Sequence, residues 1–364
     1  MSKFVRGLTA GAVLVFAACN SSPSNTNTSC TPRVPADDSY PGTLADWCQV
    51  ELSSGEVAPL ASDVVFYNLT TPLYSDGAIK RRTLRLPPGT AATYTDAGVL
   101  GFPDGTVFTK SFGFRQDARD TTLPIQWVET RLEWKAAGSW NFMSYRWNDA
   151  GTEAVALPGG EVVSFTYVDG DGVTQQPHYL VPSSQQCTQC HSEPGAIAPI
   201  GPKTQWLNTD YAYPEGTENQ LAHWSRIGIL TGAPDPANAP RLPVASDPDA
   251  GTVEQRARAY LEANCGFCHN PTGNARVSGL FLTASTTDPI QFGVCKKPVA
   301  AGPGAGGRKY DIVPGSPDAS VITYRIESTS PATAMPQIGR SVVDTHGVEL
   351  VNEWITEQPP GPCN

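Results

Sequence analysis

Two periods organise the chain. Over residues 126–135 and 140–147 apolar and polar positions alternate, which predicts two strands. Val128, Leu132 and Trp134 are expected to share one face of the first, and Trp140 and Phe142 one face of the second. Ala136-Ala137-Gly138-Ser139 between them predicts a hairpin, and Asp169-Gly170-Asp171-Gly172 predicts another. That second loop lacks the later acidic ligands of a calcium loop, so its Asp pair reads as turn chemistry. Further on the period becomes helical. Residues 252–264 carry Val253, Ala257, Tyr260 and Leu261 on one face. A last helix, capped by Asp344 or Thr345, carries Val348, Val351, Trp354 and Ile355. The pattern predicts an α+β, multidomain chain: a β-sandwich-like domain over 45–182, then mainly helical segments over 183–250 and 251–364.

Composition refines this. The 364 residues include 34 Gly and 33 Pro, an excess that favours turns and irregular loops over long helical bundles. Charged residues are 16% and form no block, which argues against wholesale disorder. A formal charge of −10 would repel nucleic acid, so no nucleic-acid partner is expected. At the N-terminus Lys3 and Arg6 precede an apolar stretch over 8–18, too short to span a bilayer. The stretch ends Phe16-Ala17-Ala18-Cys19, which resembles a bacterial lipobox. Residues 1–18 are then a signal peptide and Cys19 the lipidated mature N-terminus; plain secretion is the alternative. Residues 19–44, rich in Ser, Asn, Thr and Pro, read as a flexible tether. The expected location is exported and lipid-anchored, facing the periplasm or the cell surface.

Nine Cys need an account in an oxidising compartment. Cys19 goes to lipid. Cys30, Cys48, Cys295 and Cys363 are expected to form two disulfides, in any of three connectivities. One option ties the N-terminal segment to the C-terminal domain. The remaining four form Cys187-Thr188-Gln189-Cys190-His191 and Cys265-Gly266-Phe267-Cys268-His269. C-x-x-C-H is the c-type haem attachment signature. Thiols three residues apart add across the two vinyl groups of one haem edge, and the following His is carried to the iron. Two covalent haems are therefore expected on Cys187, Cys190, Cys265 and Cys268, with His191 and His269 as axial ligands. Zinc and thioredoxin-like redox chemistry are the weaker readings of these pairs.

A sixth ligand separates a wire from an enzyme. Met335 lies downstream of His269 in Ala334-Met335-Pro336-Gln337, with a soft thioether suited to iron. For the first haem the candidates are His223, His178, Met143 and Lys203, with His223 named first because it lies downstream in a helix start. Helix, C-x-x-C-H, Met loop and final helix follow the class I cytochrome c order.

Over residues 45–357 the chain resembles a family of bacterial diheme c-type cytochromes with a β-rich N-terminal domain. The matching pieces include Thr71-Pro72-Leu73-Tyr74-Ser75-Asp76, Phe102-Pro103-Asp104-Gly105-Thr106, Glu129-Thr130-Arg131-Leu132, Asp311-Ile312-Val313-Pro314-Gly315 and Met335-Pro336. The resemblance implies a mainly α-helical, cytochrome c-like haem region, haem binding and electron transfer, and no substrate. The expectation is an electron-transfer protein relaying single electrons to redox partner proteins, tethered to a membrane by its lipid. The alternatives are a peroxidase-like diheme enzyme with an open first iron, and a haem-sensing binding module.

Overall fold

A six-stranded antiparallel meander forms the centre of the structure, a computed structural model that describes residues 30–193, 196–299 and 301–363. Its strands are β1 (Val65–Tyr67), β2 (Ile79–Arg85), β3 (Val107–Phe114), β4 (Gln126–Ala136), β5 (Ser139–Trp147) and β6 (Ala154–Ala156), paired in that order. β4 and β5 are the hairpin expected from the alternation. Ala137 and Gly138 turn it with φ of 48° and 78°, as a two-residue hairpin of matching twist requires. The second expected hairpin pairs Tyr167–Val168 with Thr174–Gln175.

The face assignment holds for β5 and changes on β4. Trp140 and Phe142 enter one apolar cluster together. Leu132 and Trp134 enter another, with Trp127 in place of Val128. The register shows why. Phe112 pairs with Glu129 but Gly113 pairs with Trp127, so Val128 is the extra residue of a bulge and the side chains before it swap faces. Val128 packs with Phe112, Phe114 and Tyr179 instead.

Among the described residues no second large sheet faces the first. Two-stranded pairs, including Glu161–Ser164 with His178–Val181, surround the meander, so the β region is a single sheet with satellites rather than a sandwich. The part of the predicted tether after residue 32 lies against that sheet. Val34 and Leu44 pack on its core, and Asp37 O and Pro41 O accept from Trp134 Nε1 and Tyr145 Oη. The leader, Cys19 and residues 20–29 lie outside the described residues.

The region expected to carry haem is not mainly helical. Besides the single turn Thr204–Leu207, its helices are α1 (Ser184–Cys190), α2 (Gln220–Arg226), α3 (Val253–Leu261), α4 (Val321–Ile326) and α5 (Thr345–Glu357), most of them short. Between α3 and α4 the chain runs through turns and 3-10 segments, where Gly and Pro deny longer helices. The two helices that the 3.6 period predicts are present. Thr252 caps α3 with a Gln255 capping box, and Asp344 caps α5 by accepting from Gly347 N. Their apolar faces meet in one cluster holding Ala257, Leu261, Val351, Trp354 and Ile355. Gly347 permits the close approach: a Cβ there would stand 2.2 Å from the Tyr260 ring. Residues 32–364 pack as one compact unit.

Candidate functional site

The first C-x-x-C-H rides on α1. Ser183 and Gln186 form a reciprocal capping box that starts the helix, and His191 is its C-cap. The His191 ring lies 4.5 Å from that of Phe142 on β5. The second motif begins where α3 loosens into a π-helical turn over Glu262–Gly266. Each motif then closes the same turn: His191 N donates to Cys187 O at 3.1 Å, and His269 N to Cys265 O at 2.9 Å.

The imidazoles are oriented alike. His191 Nδ1 stands 3.0 Å from Ala198 O, and His269 Nδ1 3.2 Å from Leu280 O. A neutral ring that donates from Nδ1 leaves the Nε2 lone pair for a metal. Burial pushes His191 down to about 3 and also lowers His269, so both rings are neutral near pH 7.

The thiols divide into two populations. Cys295 and Cys363 form a disulfide, with Cα atoms 5.0 Å apart, and Cys30 and Cys48 are disulfide-bonded too. The C-terminal domain is thus closed on itself, and neither of its spare thiols ties it to the N-terminal segment. Cys187, Cys190, Cys265 and Cys268 are free. Burial pushes Cys187 and Cys265 up to about 12. The Cys190 and Cys268 side chains stand close enough to interact, which lowers Cys190 and raises Cys268. Asn274 Nδ2 also donates to Gln189 O. The two motifs, far apart in sequence, touch.

Cys187, Cys190, His191, Cys265 and Met335 line one continuous cleft. Two sets of elements wall it. On one side is the face of β2–β4. On the other are Tyr260 and the loop that carries Met335 and Arg340. The Arg340 guanidinium gathers the carbonyls of Ile326 at 2.9 Å, Ser328 at 2.8 Å and Met335 at 2.7 Å. Asp76, buried and raised by that burial, accepts from Ser341 N at 2.6 Å and Val342 N at 2.8 Å. Two residues earlier, Tyr74 N donates to Asn264 Oδ1 at 2.8 Å, beside Cys265. One short segment therefore holds both the second motif and the Met335 loop.

The sheet wall carries charge that sequence reasoning missed. Arg82, Lys110 and Arg131 stand directly opposite one another on β2, β3 and β4. Arg131 is held by Glu129 through two bonds, Nε–Oε2 at 2.9 Å and Nη2–Oε1 at 2.6 Å. Glu133, raised to about 7 by burial, places Oε1 3.8 Å from His191 Nε2. A signal existed in the polar positions of otherwise apolar strands, but alternation alone does not say what a strand face meets.

The donor chemistry fits two c-type haems. Four thiols stay reduced beside oxidised ones. They come as two spaced pairs, each followed by a neutral, buried imidazole whose Nδ1 is already held. Met335 shares the cleft with Cys265. The candidate sixth ligands of the first motif mostly lie elsewhere. His223 is not among the cleft-lining residues: its ring stacks on Tyr213 at 3.5 Å, and its Nδ1 meets Glu218 Oε2 at 3.0 Å. Exposed His178 meets Ser164 Oγ at 2.9 Å, and Lys203 Nζ lies 3.4 Å from Glu262 Oε1. Met143 borders the cleft from a buried place in the cluster behind the sheet, with its sulfur 3.8 Å from Ser184 Oγ.

Set against protein-family models, curated proteins and solved structures, the chain matches none.

Proposed function

We propose that the chain is a diheme c-type cytochrome that relays single electrons to redox partner proteins. The observation that carries this reading is the pair of reduced C-x-x-C-H motifs meeting in one cleft while the other described cysteines are oxidised. Haem supplies the reversible one-electron chemistry. Cys187 and Cys190 hold one group, and Cys265 and Cys268 the other. His191 and His269 are the proximal ligands, each fixed through Nδ1 by a backbone carbonyl. Met335 would offer its thioether to the second haem from a loop pinned by Arg340 and Asp76. α3, the second motif, the Met335 loop and α5 follow the class I cytochrome c order. The cysteine oxidation supports an exported location, with Cys19 as lipid anchor on a membrane facing the periplasm or cell surface.

The purified chain should exceed its polypeptide mass by two haems and keep its colour through acid–acetone extraction. Extractable haem, or a single added haem, would refute the reading. Carbon monoxide binding to the first iron would move it towards the peroxidase-like alternative.

A further inference from the structure

Two basic side chains on the sheet wall of the cleft, Arg82 and Lys110, form no ion pair among the described residues. Arg82 is 3% exposed. Its Nη1 donates to Asn68 Oδ1 at 2.9 Å, but its buried Nη2 has no hydrogen-bond partner among the described residues. Lys110 Nζ makes no hydrogen bond or ion pair among the described residues and lies 4.9 Å over the Phe112 ring. These two residues are cross-strand partners, and Lys110 is also opposite Arg131. Like charges directly opposed on adjacent strands are destabilising. A buried guanidinium nitrogen without an acceptor costs further, of order 1–3 kcal/mol or more for a charged group. The acids nearby do not discharge this debt. Glu129 is taken by Arg131 and Tyr179 Oη, and Glu133 faces His191 and acts on Lys110 through space without forming an ion pair to it.

The cations occupy a band between two apolar clusters of the same sheet face. Leu84, Phe108 and Phe142 lie on one side of it, and Phe112 and Tyr179 on the other. All of Arg82, Lys110, Cys187, Cys190 and His191 line the same cleft. A ligand seated there meets an apolar wall, the Arg82 guanidinium with its unpartnered Nη2, and the Lys110 amine, whose charged form burial disfavours. Haem is flat and apolar, with two propionate carboxylates on one edge.

We infer that Arg82 and Lys110 are the carboxylate-binding end of the first haem pocket and take the propionates of the haem attached at Cys187 and Cys190. This rests on the reading of the chain as a diheme cytochrome and adds which wall the first haem's acidic edge faces. One carboxylate gives the orphaned Arg82 Nη2 its acceptor, and a second beside Lys110 favours the charged form that burial otherwise disfavours. The sheet then sets the potential of the first haem. Positive charge beside the ring favours the electron-richer ferrous state, so removing it lowers the potential.

The test uses the haem-loaded protein. Wild type, Arg82→Gln, Lys110→Gln, the double variant and Arg82→Lys are compared by mass and by potentiometric titration. A Cys187→Ala/Cys190→Ala chain identifies the couple of the second haem. With both haems attached, the double variant should disfavour the ferrous form of the first haem about tenfold or more, about 59 mV for one electron. Arg82→Lys should recover most of the shift that Arg82→Gln causes, and the second haem should move less than twofold. Loss of the first haem alone in Arg82→Gln, restored by Arg82→Lys, would count the same way. Unchanged potentials with both haems present, equal shifts at both haems, or a loss that Arg82→Lys does not restore would overturn the inference while leaving the cytochrome reading intact. A wild-type chain without haem mass would overturn both. Small carboxylates such as acetate, added to the loaded wild type, should leave the first potential unchanged. If they shift it, the cations bind free acids and not propionates.

Discussion

The same five-residue motif occurs twice, in unlike surroundings. The second copy sits among helices and a loop. α3 leads into it, α5 packs against α3, and Met335 comes from a strap held by Arg340 and Asp76. The first copy leans on a β-sheet, with His191 against Phe142 and a row of buried charge beyond. Both nonetheless close the same turn and hold their imidazoles by Nδ1. The attachment chemistry is local and needs only a turn of helix. What surrounds the ring is not local, and there the two sites part company.

The strongest way to break this comparison is to delete one site. Cys265→Ala/Cys268→Ala should remove one haem and leave the first, read as a single-haem mass. Loss of both would mean that the sites, whose Cys190 and Cys268 touch, are built together. Next comes the covalent closure of the second region. Removing the Cys295–Cys363 bond by Cys295→Ser/Cys363→Ser should cost about 2–5 kcal/mol of stability in denaturant titration. The sheet, which holds no cysteine of that pair, should show unchanged burial of Trp134 by fluorescence at low denaturant.

Met335→Ala tests the axial difference. The second haem should fall by roughly 100 mV or more and admit exogenous ligands, and the first should barely move. Survival of both potentials, together with the thioether–ferric charge-transfer band, would make Met335 a packing residue. Asp76→Ala probes the strap itself. It leaves Ser341 N and Val342 N without an acceptor, at about 1–3 kcal/mol, and should weaken the charge-transfer band of the second haem only.

The last contrast belongs to the sheet side and is read only through pH. Burial lowers Lys80 to about 7, with its Nζ donating to Leu73 O at 2.6 Å. Its ordinary value is about 10.4, so the folded chain binds fewer protons than the unfolded one between pH 7 and 10. Stability should therefore rise with pH across that window and be lowest below it. Lys80→Met should flatten the slope in thermal melts, and an unchanged slope would place the charge penalty elsewhere.

How much of this was legible depends on range. The hairpin at Ala137-Gly138 was, because two adjacent residues with positive φ fix it. The helix starts at Thr252 and Asp344 were, because caps are written within four residues. The face of Val128 was not. A bulge arises from the partner strand, at Gly113, and nothing in the run 126–135 announces it. Helical content in 183–250 was over-read, since a motif that needs one helical turn does not need a bundle. The pairing of Cys295 with Cys363 was left open among three connectivities, because thiol spacing carries no distance information.

The sequence by itself determined the local chemistry: two C-x-x-C-H motifs, the strands with period 2 and the helices with period 3.6. Each follows from bonds spanning a few residues, so adjacency in the chain suffices. Only the tertiary structure decided that Cys190 meets Cys268, that Asp76 holds the Met335 loop, and that Arg82 and Lys110 face the first motif. Those contacts depend on strand register, on a bulge and on which apolar faces bury each other, and such choices are settled by packing across the whole chain.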